Sequence, residues 1–214
     1  MNARLIAVAA TLACLPAFAQ VSGSYDVTGK DTDGKPYKGK LTASKNGQTL
    51  KLRYSSGKSY NGVGVEKGSL LFSAWGPSDK CGMGVYELKD GVAGDGLYAD
   101  IGHPQVGKEV LKRTAGSGEV NGTYEIAGKD FDGVPFAGLV KVEPRGPVYK
   151  LSFKTAGEEY DGIGMTFANH LVVGWGGKGC AVAAYEMKAD NTGTGKYAEF
   201  GVGKLGEETL MKSF

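Results

Sequence analysis

The chain is an internal duplication. Residues 22–113 recur as residues 121–212 at an offset of about a hundred, so that Trp75-Gly76, for example, matches Trp175-Gly176. A repeat of this length is one folded unit per copy rather than a solenoid of short repeats. We therefore expect one domain at 22–113 and another at 121–212, with the segment 114–120 as a flexible linker.

The N-terminal residues have the features of an export signal. Arg4 supplies the positive charge, Leu5 to Leu15 form an apolar run, and Ala17-Phe18-Ala19 fits a cleavage site. The run is too short to span a bilayer as a helix. We expect residues 1–19 to be a cleaved signal peptide and the protein to be periplasmic or secreted by a bacterium. A lipoprotein anchored at Cys14 is the alternative.

The charge of the exported part excludes some partners. Removing the signal takes away Arg4 and no acid, which leaves 24 basic and 23 acidic residues. A nearly neutral chain with interleaved charges gives no sign of binding nucleic acid or an anionic membrane surface.

Alternation of apolar and polar residues predicts β-strands. In the first copy Leu50, Leu52 and Tyr54 alternate with three polar residues, and turn signals occur about every ten residues. One buried and one wet face favour antiparallel pairing. The first copy is predicted to form eight strands, near residues 22–29, 37–44, 48–55, 58–66, 69–75, 81–89, 94–100 and 107–113.

The predicted fold class is all-β, with two tandem antiparallel up-and-down barrels of about eight short strands each. Closure removes exposed strand edges, and glycines inside strands such as Gly62 and Gly64 help a sheet to curve. A single larger sheet built from both copies is the alternative. Strands shorter than about 9–11 residues, with lysines on one face, indicate that the barrels do not span a membrane.

The two tryptophans have two interpretations. Trp75 and Trp175 each end the fifth strand of a copy, and each either covers the bare glycine face of the neighbouring strand or stacks on a ligand at a barrel mouth. The core interpretation is favoured. Barrels of this size are expected to be filled by their own side chains, with a hollow barrel as the alternative.

Two cysteines, Cys81 and Cys180, remain after the signal and occupy matching places in the copies. They are either two buried thiols or a disulfide that joins the copies, which an oxidising compartment would favour.

Motifs for catalysis or metal binding are weak. Asp31-x-Asp33-Gly34 and its copy at Asp130 resemble the start of a calcium loop but lack its later ligands, and a hairpin turn is favoured. The two histidines, His103 and His170, lie in no zinc-binding pattern. We expect a protein without a cofactor that is not an enzyme.

The loops after the first, third, fifth and seventh strands of a copy are expected to share one end of a barrel. Loops of this kind often carry binding sites. We expect this rim to bind a protein or another macromolecule, possibly extracellular. The alternatives are a small apolar ligand in a hollow barrel and an enzyme with an acid–base pair at the mouth. The rim residues are Lys35, Lys58, Lys80 and His103 in the first copy and Asp132, Glu158, Lys178 and Lys204 in the second.

The pattern shared by the two repeats resembles that of a group of small exported bacterial β-rich proteins. It runs from Gly-x-Tyr at Gly23 through Asp-x-Asp-Gly-x-Pro, Tyr-x-Gly-x-Gly, Trp-Gly, Cys and Tyr-Glu to Glu-x-Leu at Glu109. Some of these proteins carry a fibronectin-binding label, so the resemblance implies an exported module with an adhesive role. The plan is also similar to that of avidin-like and lipocalin-like barrels.

Overall fold

A computed structural model describes residues 21–155 and 157–213, and the expected signal at 1–19 lies outside these residues. Within them the chain forms sixteen β-strands, and no helix is long and apolar enough to cross a membrane. The first repeat contributes β1 (Gly23–Lys30), β2 (Pro36–Asn46), β3 (Thr49–Ser56), β4 (Lys58–Lys67), β5 (Leu70–Gly76), β6 (Gly82–Lys89), β7 (Val92–Asp100) and β8 (Gly107–Ala115).

The second repeat contributes the other eight strands in the same order. They are β9 (Gly122–Lys129), β10 (Pro135–Arg145), β11 (Val148–Thr155), β12 (Glu158–Phe167), β13 (His170–Trp175), β14 (Ala181–Met187), β15 (Thr192–Glu199) and β16 (Leu205–Ser213). The eight strands predicted for the first copy agree with the structure to within two residues at each end.

The strands close into two antiparallel eight-stranded barrels, which confirms the predicted fold class. We call them the terminal barrel, built from β1–β5 and β14–β16, and the central barrel, built from β6–β13. Strands that follow one another in the chain pair within each barrel. The exceptions are the pairs that close the barrels. They are β5 with β14 and β1 with β16 in the terminal barrel, and β13 with β6 in the central barrel.

The expectation that each repeat closes its own barrel is wrong. Each barrel takes five strands from one repeat and three from the other, so the repeats exchange their last three strands. The segment 114–120 joins β8 to β9, which are neighbours in the central barrel, and is therefore a hairpin connection rather than a domain linker. Because β6 and β14 are copies, β5 finds an equivalent hydrogen-bonding partner in either, and local pairing rules do not distinguish the two arrangements.

The chain passes between the barrels twice, at 77–81 and at 176–180, and a disulfide joins these two crossover segments. The bond links Cys81 to Cys180, whose Cα atoms are 5.7 Å apart, so the disulfide alternative is the correct one. The approach requires glycine. A Cβ on Gly76 would lie 2.2 Å from the Cys81 sulfur, and a Cβ on Gly176 would lie 2.5 Å from the Lys80 carbonyl oxygen.

Three apolar clusters form the core, one inside each barrel and one between the barrels. The cluster between them uses the outward faces of β4 and β5 in the terminal barrel and of their copies in the central barrel, including Val63, Phe72, Ile163 and Val172. As a result β5 is buried on both faces along almost its whole length. This shared interface holds the barrels together in addition to the two crossovers.

Candidate ligand-binding site

The two Asp-Gly motifs are turns, as the sequence favoured. The Asp31 carboxylate accepts hydrogen bonds from the backbone N–H groups of Asp33 and Lys35, at 2.9 and 2.8 Å. Asp130 makes the same two bonds in the second copy. Gly34 has φ of +82°, in the region that favours glycine. The Oδ1 atom of each first aspartate is thus used to close its hairpin.

The strand exchange divides the predicted rim residues between two barrels. Lys35 and Lys204 lie on hairpin loops at one end of the terminal barrel, and Lys58 is the first residue of β4 at the same end. Lys204 pairs there with Asp33 at 3.0 Å. The expected grouping of Lys35 and Lys58 with His103 on one rim is therefore wrong.

The other rim residues lie at the central barrel or on the crossovers. His103 and Asp132 lie on loops at the mouth of the central barrel, and Glu158 is the first residue of β12 at the same end. Lys80 lines the cavity at this mouth, and Lys178 is exposed on a crossover segment. The ring of His103 stacks on Phe131 at 4.6 Å between centroids.

A cavity of about 700 Å³ opens at the mouth of the central barrel. This volume is in the range of small-molecule sites in proteins. Eight of its eighteen lining residues are aromatic. The aromatic lining residues are Tyr86, Tyr98, Phe131, Phe136, Phe153, Tyr160, Trp175 and Phe200.

A buried carboxyl group lies in this cavity. Glu109 is only 6% exposed and lines the cavity from β8. The Tyr86 hydroxyl donates a hydrogen bond of 2.6 Å to its Oε1 atom. Burial raises the pKa of Glu109 to about 7, against the opposing effect of the Tyr86 hydrogen bond. The carboxyl group therefore changes its charge near neutral pH.

Sequence analysis missed Glu109 as a site residue. It was seen as part of a Glu-x-Leu pattern kept in both copies, at Glu109 and Glu208. The available signal was that the glutamate shares its strand face with the buried Leu111, since side chains two residues apart in a strand point to the same side.

The two tryptophans differ in their surroundings. Trp75 lies opposite Gly62 in the β4–β5 pair, where a Cβ on Gly62 would be 2.7 Å from the Ala74 carbonyl oxygen, and it packs against Tyr54 at 4.5 Å. Trp75 thus covers the bare glycine face, as predicted. Trp175 lies opposite Gly162 in the same way but also lines the cavity, and its Nε1–H donates a hydrogen bond of 3.1 Å to Asp100. Burial raises the pKa of this aspartate.

Three substitutions between the copies explain why the barrels differ inside. In the terminal barrel, the Tyr54 hydroxyl is 2.9 Å from the Ser73 hydroxyl, and Glu208 accepts hydrogen bonds from Tyr185 and, at 2.5 Å, from Tyr37. The central barrel has apolar residues at the places of Tyr37, Tyr54 and Ser73, namely Phe136, Phe153 and Val173.

Because Phe136 occupies the place that Tyr37 has in the first repeat, Glu109 has fewer hydrogen-bond donors around it than its copy Glu208. The Phe136 ring lies over Gly128 as the Tyr37 ring lies over Gly29, so the two side chains are spatially equivalent. The Tyr86 bond is to Oε1, and Oε2 accepts no hydrogen bond from residues 21–155 and 157–213. A carboxyl group with an available acceptor atom therefore lies in the cavity wall.

The fold and the site define a disulfide-linked double β-barrel with one lined cavity at the mouth of its central barrel. No protein-family model matches the chain, and no curated protein is significantly similar to it. A crystal structure of a porin-like protein from Bacteroides uniformis aligns over 90% of this chain and 96% of that chain, at 11% identity and a TM-score of 0.24. A score this low carries no argument about fold or function.

Proposed function

We propose that the protein is a non-enzymatic carrier or receptor that binds a small, largely apolar organic molecule at the mouth of the central barrel. The observation that carries this proposal is the aromatic-lined cavity of about 700 Å³. Burial of an apolar ligand against such a wall is favourable by about 25 cal/mol per Å² of apolar surface removed from water.

The location of the protein belongs to the same proposal. Disulfides persist mainly in oxidising compartments, so the Cys81–Cys180 bond is typical of a protein outside the cytoplasm. Together with the signal expected at residues 1–19, it supports export to the periplasm or beyond. A carrier in that compartment would meet small molecules that have crossed the outer boundary of the cell.

The role expected from the rim loops, binding of a macromolecule, has weaker support. The residues expected on the rim of each copy are distributed over both barrels, and Lys204, expected on the rim of the second copy, is paired with Asp33. The small-ligand alternative accounts for the apolar substitutions inside the central barrel, whereas a rim that binds a macromolecule does not require them.

The experiment uses N-phenyl-1-naphthylamine, a neutral dye that fluoresces in apolar surroundings. We expect the exported protein to enhance its fluorescence with one site per chain. Thr155 lines the cavity, and Thr155→Trp should fill it and abolish the signal. The matched control is Ser56→Trp at the equivalent place in the terminal barrel, which should leave binding unchanged.

Two results would overturn the proposal. One is a wild-type protein that does not bind the dye and also shows no adduct in native mass spectrometry after gentle purification. The other is dye binding that Ser56→Trp abolishes and Thr155→Trp does not, because the site would then lie in the terminal barrel.

A further inference from the structure

Most of the charged groups in the cavity wall are acidic. Five carboxyl groups line it, and Lys80 is the one basic side chain among the lining residues that the structure describes. The carboxyl groups belong to Asp100, Glu109, Asp130, Glu158 and Asp161. Asp130 is used by its turn, and Asp161 pairs with Lys150 at 3.2 Å, so these two are partly satisfied.

Asp100 and Glu109 are the carboxyl groups placed to meet a ligand. Glu109 is more than nine-tenths buried and lines the cavity. In its copy Glu208, both carboxylate oxygens accept hydrogen bonds, one of them from Tyr37, whereas one oxygen of Glu109 is available. The indole N–H of Trp175 donates a hydrogen bond to Asp100, and this bond fixes the side chains of Trp175 and Asp100 in the wall. Glu109 Oε2 is not sealed inside the protein, so a ligand in the cavity can reach it, and a charged donor makes the strongest hydrogen bond to a carboxylate.

Aromatic rings complete a site for a cation. Trp175, Tyr86 and Tyr160 line the same cavity as the two carboxyl groups. The faces of aromatic rings attract cations, with tryptophan the best of them. A ligand carboxylate would instead be repelled by the acidic side chains of the wall, and Lys80 is the one lining residue with the opposite charge in the part of the chain that the structure describes.

We infer that the ligand of the central barrel is an organic amine, with its protonated nitrogen at Glu109 and Asp100 and its apolar or aromatic frame against the ring-lined wall. This inference rests on the proposed function, because it names the chemical class of molecule that the same cavity takes. The binding step is an ion pair with hydrogen bonds and involves no covalent chemistry.

The test compares three molecules with the same frame and different ends. Phenylbutylamine, phenylbutanol and phenylbutanoate are each titrated as competitors of the dye at about pH 8, where Glu109 carries its charge. We expect the amine to bind about tenfold more tightly than the alcohol, which corresponds to one charge-assisted hydrogen bond. The carboxylate should bind more weakly than both.

Two variants assign the preference to Glu109. Glu109→Gln should lower the affinity for the amine toward that for the alcohol, with the remaining preference supplied by Asp100, while the alcohol binds as before. Phe136→Tyr should weaken the amine as well, because it restores the hydroxyl that Tyr37 offers to Glu208. The matched control Tyr37→Phe, in the terminal barrel, should leave all three affinities unchanged.

A pH series gives a second readout. As the pH falls from about 8 to about 6, Glu109 gains a proton and the amine should lose affinity while the alcohol does not. The other titratable groups at the cavity are Tyr86, Tyr98 and Tyr160, the acids already named, Lys80, and His103, which stacks on Phe131 at the mouth. The same series on Glu109→Gln separates the effect of Glu109 from theirs. The tyrosines stay protonated over this range, since the pKa of each is raised.

The outcomes separate the two proposals. Equal affinity of amine and alcohol, or a preference for the carboxylate, would overturn the amine inference and leave the cavity as an apolar site. An amine preference that persists in Glu109→Gln with an unchanged pH profile would overturn it as well. Failure of the dye and of all three competitors to bind would overturn the proposed function itself.

Discussion

Cys81 and Cys180 are 99 residues apart in the chain, yet their Cα atoms lie 5.7 Å apart where the two crossover segments meet. Each cysteine follows the last strand that its repeat gives to one barrel and precedes the first strand that it gives to the other. The disulfide therefore fixes the point at which the repeats exchange strands. It ties the two barrels to each other without being part of either sheet.

The strand exchange predicts which new disulfides can form. Thr28 on β1 lies opposite Thr209 on β16, and both side chains are exposed. Thr28→Cys with Thr209→Cys should give a second disulfide, because Cα atoms opposite each other in an antiparallel pair are about 4.5–5.5 Å apart. The measurement is a free-thiol count with peptide mapping under non-reducing conditions.

The control for this prediction uses the copy of Thr209. If each repeat closed its own barrel, Thr28 would lie opposite Val110 on β8 instead. Thr28→Cys with Val110→Cys should therefore leave two free thiols. Formation of this second pair and not the first would contradict the exchanged topology.

Loss of the native disulfide should destabilise the protein without changing its fold. Closing a loop of about 100 residues in the unfolded chain is worth about 4.7 kcal/mol in the chain-entropy model. We expect Cys81→Ser with Cys180→Ser to lower the free energy of unfolding by about 3–5 kcal/mol, measured by urea denaturation. The cluster between the barrels, which is independent of the bond, should keep the circular dichroism spectrum unchanged. An unchanged unfolding midpoint would show that the bond adds no stability.

Glycine at position 62 is required by the packing of Trp75. A Cβ there would lie 2.7 Å from the Ala74 carbonyl oxygen and 3.2 Å from the Trp75 Cβ atom, both fixed by the β4–β5 pair. Gly62→Ala should cost about 1–3 kcal/mol, the usual effect of overpacking a well-packed core. Gly94→Ala is the control, because its Cβ would meet no atom closer than 3.9 Å. Thermal denaturation of both variants checks the difference, and equal midpoints would refute it.

Stability should depend on pH through Glu109. Burial raises the pKa of this carboxyl group from 4.5 to about 7, so between these values the folded protein holds a proton that the unfolded chain has lost. The contribution of Glu109 to the free energy of unfolding is therefore full below pH 4.5, falls as the pH rises to about 7 and is constant above it. The total fall is about 3 kcal/mol, since one pKa unit is about 1.4 kcal/mol.

The measurement is the difference in the free energy of unfolding between wild type and Glu109→Gln, obtained by urea denaturation over this pH range. The variant should become relatively more stable as the pH rises, by about the same 3 kcal/mol. Glu208, whose pKa is also raised by burial, is present in both proteins and cancels. Glu125→Gln, on the exposed outer face of β9, serves as the control and should follow the wild type. A constant difference between wild type and Glu109→Gln would show that Glu109 is not the group responsible.

Local patterns were enough to predict the strands and the turns. Alternation such as Leu50, Leu52 and Tyr54 places one face inward, and Asp-Gly pairs close hairpins through their own side-chain oxygens. The matching positions of Cys81 and Cys180 allowed either a disulfide or two buried thiols, and only the structure distinguished them. The strands and the turns depend on neighbours in the chain, so the amino-acid sequence by itself determined them.

The tertiary structure decided two features, namely which strands form which barrel and where a cavity opens. A copy of a strand offers the same hydrogen-bonding edge as the original, so no local signal tells β5 to pair with β14 rather than β6. The apolar residues on both faces of β5 were the available sign of a second interface, since they pack between the barrels. Only the exchange brings Glu109 of the first repeat together with Phe136 and Trp175 of the second, and with them the site.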